Sequence, residues 1–207
     1  MVASALERPT LLPARPDLCL DYANTRYWRG TEPATEELRT FDDVLAWHGS
    51  KQIVAADAMA ALAAWWRERP RQADGAFAEA LALREALYRI FSATSQAAQP
   101  SETDLDALNR ALARTPSRAH LRHTDTGYAW QVPRLRPAVT DLLAPVLWSA
   151  ADLLTNSRLA RVRRCANDKC LFLFVDDSRN GTRRWCSMSM CGNRAKAHRH
   201  YVKTKQA

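Results

Sequence analysis

Four of the five cysteines form two pairs with the same internal spacing, late in the chain. Each pair is a C-x4-C motif, and fifteen residues separate them; the members are Cys165, Cys170, Cys186 and Cys191. Closed structural zinc sites use four soft ligands, which are usually delivered as two short-spaced pairs. Catalytic zinc keeps a position for water, and four cysteines leave none. The pattern therefore predicts one structural Zn²⁺ bound by all four thiolates.

Two disulfides, or four unrelated buried thiols, are the alternatives to zinc. Five cysteines is an odd number, and an oxidised secreted domain usually avoids a spare thiol. Glu7, Arg15 and several prolines interrupt the apolar stretch that a secretory signal would need. We therefore expect a cytoplasmic location, where paired cysteines favour a metal. Cys19 lies far from the pairs and is expected to be a small buried apolar residue.

The residues between the pairs predict the element that brings them together. Leu171 to Val175 is a short apolar run, Asn180-Gly181 is a strong hairpin-turn signal, and residues 182–185 lead back. We expect a β-hairpin that presents one cysteine pair at each end, followed by a short basic helix after Cys191. Metal binding would supply the folding free energy that so small a core lacks.

Positive charge is concentrated in the same region. The chain has a net charge of +8, and residues 158–207 hold thirteen Lys or Arg against three Asp, which leaves +10. Residues 1–157 carry seventeen basic and nineteen acidic residues, which leaves −2. This asymmetry favours a polyanionic partner for the C-terminal end. Hairpin arginines would bind phosphates while the helix enters a groove of double-stranded DNA. The candidate DNA contacts are Arg179, Arg183, Arg184, Arg194, Lys196, Arg199 and Lys203.

Other interpretations of the basic region remain open. A solvated basic face needs no partner at all. An RNA-binding module would use Phe172, Phe174, Trp185 and Tyr201 to stack on bases, although apolar packing around the zinc explains them more simply. A module that docks a protein partner is the remaining alternative.

The fold class is predicted to be mainly α. Residues 1–160 indicate a helical domain with one minor β-hairpin at 120–132, and residues 161–207 indicate the small zinc-braced hairpin and helix. We expect residues 1–17 to form a poorly ordered arm, and Pro145 to kink or split the last helix. No Gly/Ser linker separates the two parts, so we expect them to be rigidly related. One predicted helix starts at Thr40. The other predicted helices cover residues 52–68, 76–95, 101–113 and 138–157.

Polar residues of the helical part are candidates for a small-molecule pocket. Asp21, Asn24 and Thr25 would either satisfy backbone groups at a cap or contact a ligand, and Arg84 is a further pocket candidate. They form no recognisable set of nucleophile, base and orienting group, so we expect no enzymatic activity. No apolar run approaches the ~20 residues that span a bilayer, so we expect no membrane association.

Several of these motifs resemble a known pair of domains. The cysteine pairs, Arg179-Asn180-Gly181 and Cys191-Gly192-Asn193-Arg194 resemble the CGNR-type zinc finger. The segment 20–25 resembles the Leu-Asp-Phe-x-Asn-Thr signature that opens the ABATE domain, with Tyr22 for phenylalanine, and segments 83–88 and 105–109 also fit.

The resemblance implies a bacterial family of predicted stress-induced transcription regulators. It implies that the four cysteines are zinc ligands and that the chain binds DNA. It also makes Asn193 and Arg194 candidates for structural or DNA-binding roles. Together with the charge asymmetry, it leads us to expect a DNA-binding regulator whose helical domain senses a small effector or forms a homodimer.

Overall fold

The N-terminal segment is part of the folded body. The computed structural model describes residues 6–12, 14–125, 127–197 and 201. Strand β1 (Thr10–Leu11) pairs antiparallel with a later strand, and Leu11 is 1% exposed. The expectation of a poorly ordered arm is therefore wrong for its described residues, because Leu6 and Leu11 are buried against the core.

Helices form most of the first 157 residues, as predicted. Capping explains two starts: Thr40 and Asp43 form a capping box, and the Ser101 hydroxyl accepts from the Asp104 amide. None of the described helices is long and apolar enough to cross a membrane. The described helices of this part are α1 (Leu18–Ala23), α2 (Phe41–Ser50), α3 (Ala56–Arg67), α4 (Pro70–Thr94), α5 (Glu102–Leu112), α6 (Val139–Leu142) and α7 (Ala144–Thr155).

Two prolines set helix boundaries. Pro145 lies in the first turn of α7 and splits the predicted 138–157 helix into α6 and α7, as expected. Pro70 follows the predicted 52–68 helix and is the first residue of α4, which begins six residues earlier than predicted. Proline is favoured at the first helical position because that amide has no intrahelical partner.

Helix α1 lies in the core between α4 and α7. The Tyr22 hydroxyl donates to the carbonyl of Ala80 in α4 (2.9 Å), and the Cys19 amide donates to the Ser149 hydroxyl in α7 (3.1 Å). Cys19 is fully buried, as predicted, and burial raises the pKa of its thiol to about 12. The helix thus joins α4 to α7.

Three small sheets complete the fold. Strands β4 (His120–Thr124) and β5 (Gly127–Gln131) form the predicted hairpin, and β1 adds to β5 in the order β1-β5-β4. Strands β2 (Arg26–Tyr27) and β3 (Thr35–Glu36) pair antiparallel. After a 3₁₀ helix (Ser157–Arg161), β6 (Val162–Arg164) pairs with β7 (Leu173–Val175).

The hairpin predicted around Asn180-Gly181 is wrong. A turn does form there, with Gly181 at φ +61°, but residues 182–185 form no strand. Strand β7 pairs with β6 instead, across the first cysteine pair. The Asp176 carboxylate accepts from the amides of Ser178 (3.0 Å) and Arg183 (2.9 Å), which curls this segment into a loop. The hairpin therefore precedes the predicted turn.

His48 in α2 is a buried histidine without a polar partner among the described residues. Its residue exposure is 0%, and neither ring nitrogen has a hydrogen bond. Burial disfavours the imidazolium, which lowers the pKa of His48 to about 4.

We expect acid to destabilise the protein through His48. Below pH 6.5 the unfolded chain binds a proton at this position while the folded chain does not. The free energy of unfolding therefore decreases as the pH is lowered. The loss should reach about 3 kcal/mol by pH 4. Urea unfolding between pH 7 and 4.5 measures it, and the His48→Leu variant should lack most of this slope. An equal slope in both proteins would contradict the assignment.

Candidate metal centre

The two cysteine pairs lie on two tight turns that face each other. The first turn joins β6 to β7, and the second contains a short π-helical segment (Met188–Gly192). The Sγ atoms of Cys170 and Cys186 are 3.6 Å apart, and those of Cys186 and Cys191 are 3.8 Å apart. All four Sγ atoms, including that of Cys165, lie within 4.8 Å of one another.

This geometry fits a tetrahedral zinc ion. Zn–S bonds of about 2.3 Å place tetrahedral sulfur atoms about 3.8 Å apart. The cluster has the all-thiolate donor set that Zn²⁺ favours, and three of its cysteines are buried. Asn167 Nδ2 also donates to Cys191 Sγ (3.4 Å), which satisfies part of the charge of that ligand. The predicted site is confirmed as a site for one structural zinc ion.

Without a cation, the four thiols could not all ionise. Hydrogen bonds from Cys170 and Cys186 lower the pKa of the Cys165 thiol. The same contact with Cys165 raises the pKa of Cys170 and of Cys186. One thiolate is thus stabilised at the expense of its neighbours. A divalent cation removes this conflict because every thiolate becomes a ligand.

Local hydrogen bonds explain the four-residue spacing of the first pair. Asn167 accepts at Oδ1 from the Lys169 amide (3.1 Å) and at its carbonyl from the Cys170 amide (2.9 Å). Leu171 then adopts φ +58°, which turns the chain into β7. The Cys165 amide donates to the Phe172 carbonyl (2.7 Å) and closes the loop. The turn thus directs both thiols to one side.

Gly192 leaves room for the Met188 side chain within the second turn. The Ser187 carbonyl accepts from the amides of Cys191 (3.1 Å) and Gly192 (3.0 Å). A Cβ atom on Gly192 would lie 2.6 Å from Met188 Sδ and 3.4 Å from the Trp185 ring. Gly192 therefore allows the turn to pack closely on itself. A basic helix follows over 193–197, as predicted for this part.

The helical domain covers one side of the metal centre, which the sequence analysis missed. Trp28, in the loop between β2 and β3, packs against the cluster formed by the cysteines and Phe174. The Gly30 amide donates to the Lys169 carbonyl (3.2 Å). A Cβ on Gly30 would lie 1.7 Å from the Asp168 carbonyl oxygen. Only a glycine allows the two backbones to approach this closely.

Polar contacts from two helices and the residues that follow them hold the zinc module in place. Asn24 at the end of α1 pairs with the backbone of Leu173 in β7 through two hydrogen bonds (2.8 and 3.0 Å). The Tyr88 hydroxyl in α4 donates to the Leu171 carbonyl (3.0 Å). Arg164 donates to Gln96 (3.0 Å), just after α4. These contacts agree with the rigid connection expected from the missing linker.

Gly30→Ala should loosen the contact between the loop and the metal centre. The added Cβ collides with backbone atoms, so the loop must retreat, and we expect a loss of about 1–3 kcal/mol. Thermal unfolding measures the loss, and hydrogen exchange should rise in both 26–36 and 165–170. Gly75→Ala is the matched control: its Cβ would meet nothing within 4 Å, and in α4 it should stabilise by about 0.5–1 kcal/mol. Equal effects of the two substitutions would contradict the close approach.

The candidate DNA contacts fall into two groups. Arg183 donates to the carbonyls of Trp185 (2.8 Å) and Cys186 and lies over the Phe174 ring. Arg184 lies 5.4 Å from the Trp185 ring centroid and Arg194 lies 4.6 Å from that of Trp28, so both also have intramolecular contacts. The second group is exposed, and its side chains form no hydrogen bond or ion pair among the described residues. Its members are Arg179 and Lys196. The remaining candidates, Arg199 and Lys203, lie outside the described residues.

The four candidate pocket residues do not line one pocket. Arg84 is 2% exposed and binds Glu36 (2.5 Å), and it also reaches Thr25 (3.4 Å) in a buried network. Asp21 and Asn24 instead line a cleft of about 770 Å³ between the helical domain and the zinc module. Asn24 uses its amide group on Leu173, and the Asp21 carboxylate pairs with Arg15 (3.7 Å) and Lys51 (3.8 Å), which line the same cleft.

Comparison with protein families agrees with the geometry of both parts. Residues 16–157 match the ABATE family, described as "Putative stress-induced transcription regulator". Residues 161–204 match the CGNR zinc finger family, and this range contains the four clustered cysteines. A search of curated proteins found no match. The chain belongs to the ABATE family and carries a C-terminal CGNR zinc finger.

Proposed function

We propose that the chain is a transcriptional regulator that binds double-stranded DNA through its zinc module and acts by binding rather than catalysis. The supporting observation is that the module keeps an excess of positive charge after its own anions are counted. Residues 158–197 hold ten Lys or Arg against three Asp, and four thiolates with one Zn²⁺ add −2, which leaves +5. Within this range only Arg158 forms an ion pair, with Asp177 (2.9 Å).

Most other arginines of the module are held by uncharged acceptors. Arg161 donates to the Asp176 carbonyl (3.1 Å), and Arg163 donates to the Ala160 carbonyl (2.7 Å). Such bonds fix the position of a guanidinium without cancelling its charge. A fixed surface with an excess of positive charge is what phosphate contacts require.

The arrangement of the aromatic residues favours duplex DNA over single-stranded RNA. Phe174 is 8% exposed, and Phe172 and Trp185 pack against the same cysteine cluster. These three residues therefore serve the metal centre and are not displayed for base stacking, whereas Tyr201 is 56% exposed. A competition experiment separates the two functions: duplex DNA should displace a bound duplex probe more effectively than single-stranded RNA of equal length.

The cleft between the domains is the place where a small effector would influence DNA binding. It is lined from the helical domain by Asp21 and Lys51, and from the zinc module by Phe172 and Arg183. A ligand there would contact both parts and shift any equilibrium between their arrangements by its differential affinity. Asp21→Ala should weaken the response of DNA affinity to such an effector.

DNA affinity should fall steeply with salt. If six phosphates are neutralised, the logarithm of the association constant should fall with the logarithm of salt concentration with a slope of about −5. The Arg179→Ala/Lys196→Ala variant should make this slope shallower by about 2, since both side chains are exposed and outside the packing of the fold. Fluorescence anisotropy at several salt concentrations measures the slope.

The control for this experiment is Arg71→Ala, which removes an exposed cation from the helical domain. Its slope should equal that of the wild type. Binding of genomic fragments that is absent, or that does not depend on salt, would refute the proposed function.

A further inference from the structure

Two methionines at the tip of the zinc module are exposed. Met188 and Met190 are 53% and 52% exposed. Large apolar side chains elsewhere in the described chain are mostly buried. The other exposed ones are Leu12, Leu121, Tyr128 and Tyr201. Exposed apolar groups on one rigid turn indicate an interaction surface.

The turn that carries the methionines is held firmly. It ends at the zinc ligand Cys191, and the Ser187 hydroxyl accepts from the Met190 amide (3.4 Å). Met188 lies against Gly192, where an added Cβ would contact its Sδ atom. The metal therefore fixes the backbone that presents both side chains. Such support lets an apolar side chain act as a wedge without losing its position on contact.

Three arginines lie close to the tip in the chain. Trp185, which borders Gly192 together with Met188, carries the Arg184 guanidinium over its ring (5.4 Å). Arg183 and Met190 line the same cleft, which Asp17, Asp21, Glu37 and Asp177 also line, and Arg194 follows the turn by two residues. Each of these arginines is outside any described ion pair. The apolar tip is thus flanked by charges suited to phosphates.

We propose that Met188 and Met190 form a wedge that enters the minor groove of DNA and kinks it; this rests on the proposed function. Methionine offers no hydrogen bonds for reading base edges, but apolar side chains inserted between base steps unstack them and bend the duplex by about 20–90°. The minor groove is about 6 Å wide, which suits single side chains on a turn rather than a whole helix. The flanking arginines bind the phosphates on either side.

Charge complementarity selects DNA as the occupant. A protein partner would be expected to cover a broader apolar surface than two side chains. A membrane would need an amphipathic helix or a lipid anchor with a larger apolar face. DNA requires only a narrow wedge and flanking cations.

The test compares full-length wild type with Met188→Ala/Met190→Ala on bound genomic fragments. Bend angle is measured by fluorescence energy transfer between the DNA ends, and base unstacking by 2-aminopurine fluorescence. The wild type should bend DNA, whereas the variant should leave it nearly straight and bind about 10-fold more weakly. The salt slope should stay unchanged, because no phosphate contact is removed.

Matched variants complete the design. Met188→Leu/Met190→Leu keeps the wedge apolar and should retain bending. Leu121→Ala/Tyr128→Ala removes exposed apolar groups from the β4–β5 hairpin and should bind like the wild type. Zinc content of one ion per chain shows that each variant is folded at the metal centre.

Several outcomes would overturn the wedge. Salt-dependent binding to straight DNA, or equal bending by the alanine variant, would refute the wedge and leave the proposed function intact. Loss of binding to anionic vesicles in the alanine variant, with unchanged DNA binding, would reassign the tip to a membrane. Absence of all DNA binding by the wild type would refute both proposals.

Discussion

Replacing Cys191 with alanine is expected to abolish zinc binding and to unfold the zinc module. Cys191 is 1% exposed, and its Sγ lies 3.8 Å from that of Cys186 in the cluster. Three thiolates bind a structural zinc ion far more weakly than four, and apparent binding free energies for such sites are about 10–16 kcal/mol. So small an apolar cluster has no comparable reserve of stability. The zinc content measured by elemental analysis should fall from one ion per chain to none.

Loss of the metal should also be visible in the structure of the module. Limited proteolysis should cut residues 161–197 rapidly in the Cys191→Ala variant, while the helical domain stays resistant. Fluorescence of Trp28 should change as well, because this residue packs on the metal centre from the other domain.

Cys19→Ala is the matched control for a single cysteine substitution. Cys19 is fully buried in α1 and makes no contact with the cysteine cluster. This variant should retain one zinc per chain and a protease-resistant module. Stoichiometric zinc in Cys191→Ala, with unchanged protection, would show that the four-thiolate assignment is wrong.

Replacing Arg84 with methionine should cause the largest loss of stability within the helical domain. Its side chain is 2% exposed and forms ion pairs with Glu36 (2.5 Å) and Glu85 (2.9 Å). Arg29 (2.7 Å) and Arg26 (4.0 Å) also pair with Glu85, whereas Arg84 is the described ion-pair partner of Glu36. Removing one cation leaves a partly buried carboxylate without its partner, which costs about 3 kcal/mol or more. Thermal unfolding should occur about 10 °C lower.

A double substitution tests whether the loss comes from the unpaired charge. Arg84→Met combined with Glu36→Leu removes both partners and should recover part of the stability. Removing both partners of a buried ion pair lowers the free energy of unfolding less than removing one of them. Arg114→Met is the surface control: its pair with Glu79 (2.7 Å) is exposed on both sides and should contribute less than 1 kcal/mol. Equal losses for Arg84→Met and Arg114→Met would contradict the buried network.

Local patterns in the sequence were enough for the metal ligands and most helices. The spacing of Cys165, Cys170, Cys186 and Cys191 predicted the zinc site because few chemistries use four thiols in two pairs. The capped start at Thr40 and the break at Pro145 were predicted because caps and prolines act within a few residues of themselves. The ligand pairs, the helix cap and the proline break each depend on residues that lie close together in the sequence.

Partner choice between strands was not predictable in the same way. The Asn180-Gly181 signal correctly indicated a turn, but β7 pairs with β6. A strand has free hydrogen-bonding groups on both edges, so a local turn signal cannot exclude a partner supplied earlier in the chain. Likewise, β1 was missed because only the distant hairpin strand β5 gives its residues a place to pair.

The surroundings of the metal centre were decided by the tertiary structure. Asn24 was a pocket or capping candidate, yet it binds the backbone of Leu173, 149 residues away in the chain. Trp28 and Gly30 carried no motif of their own, and they became part of the metal centre only because the loop between β2 and β3 packs there. The sequence by itself determined the ligands, because ligand chemistry and spacing are local. Only the folded chain decided what covers them, because that depends on contacts between residues far apart.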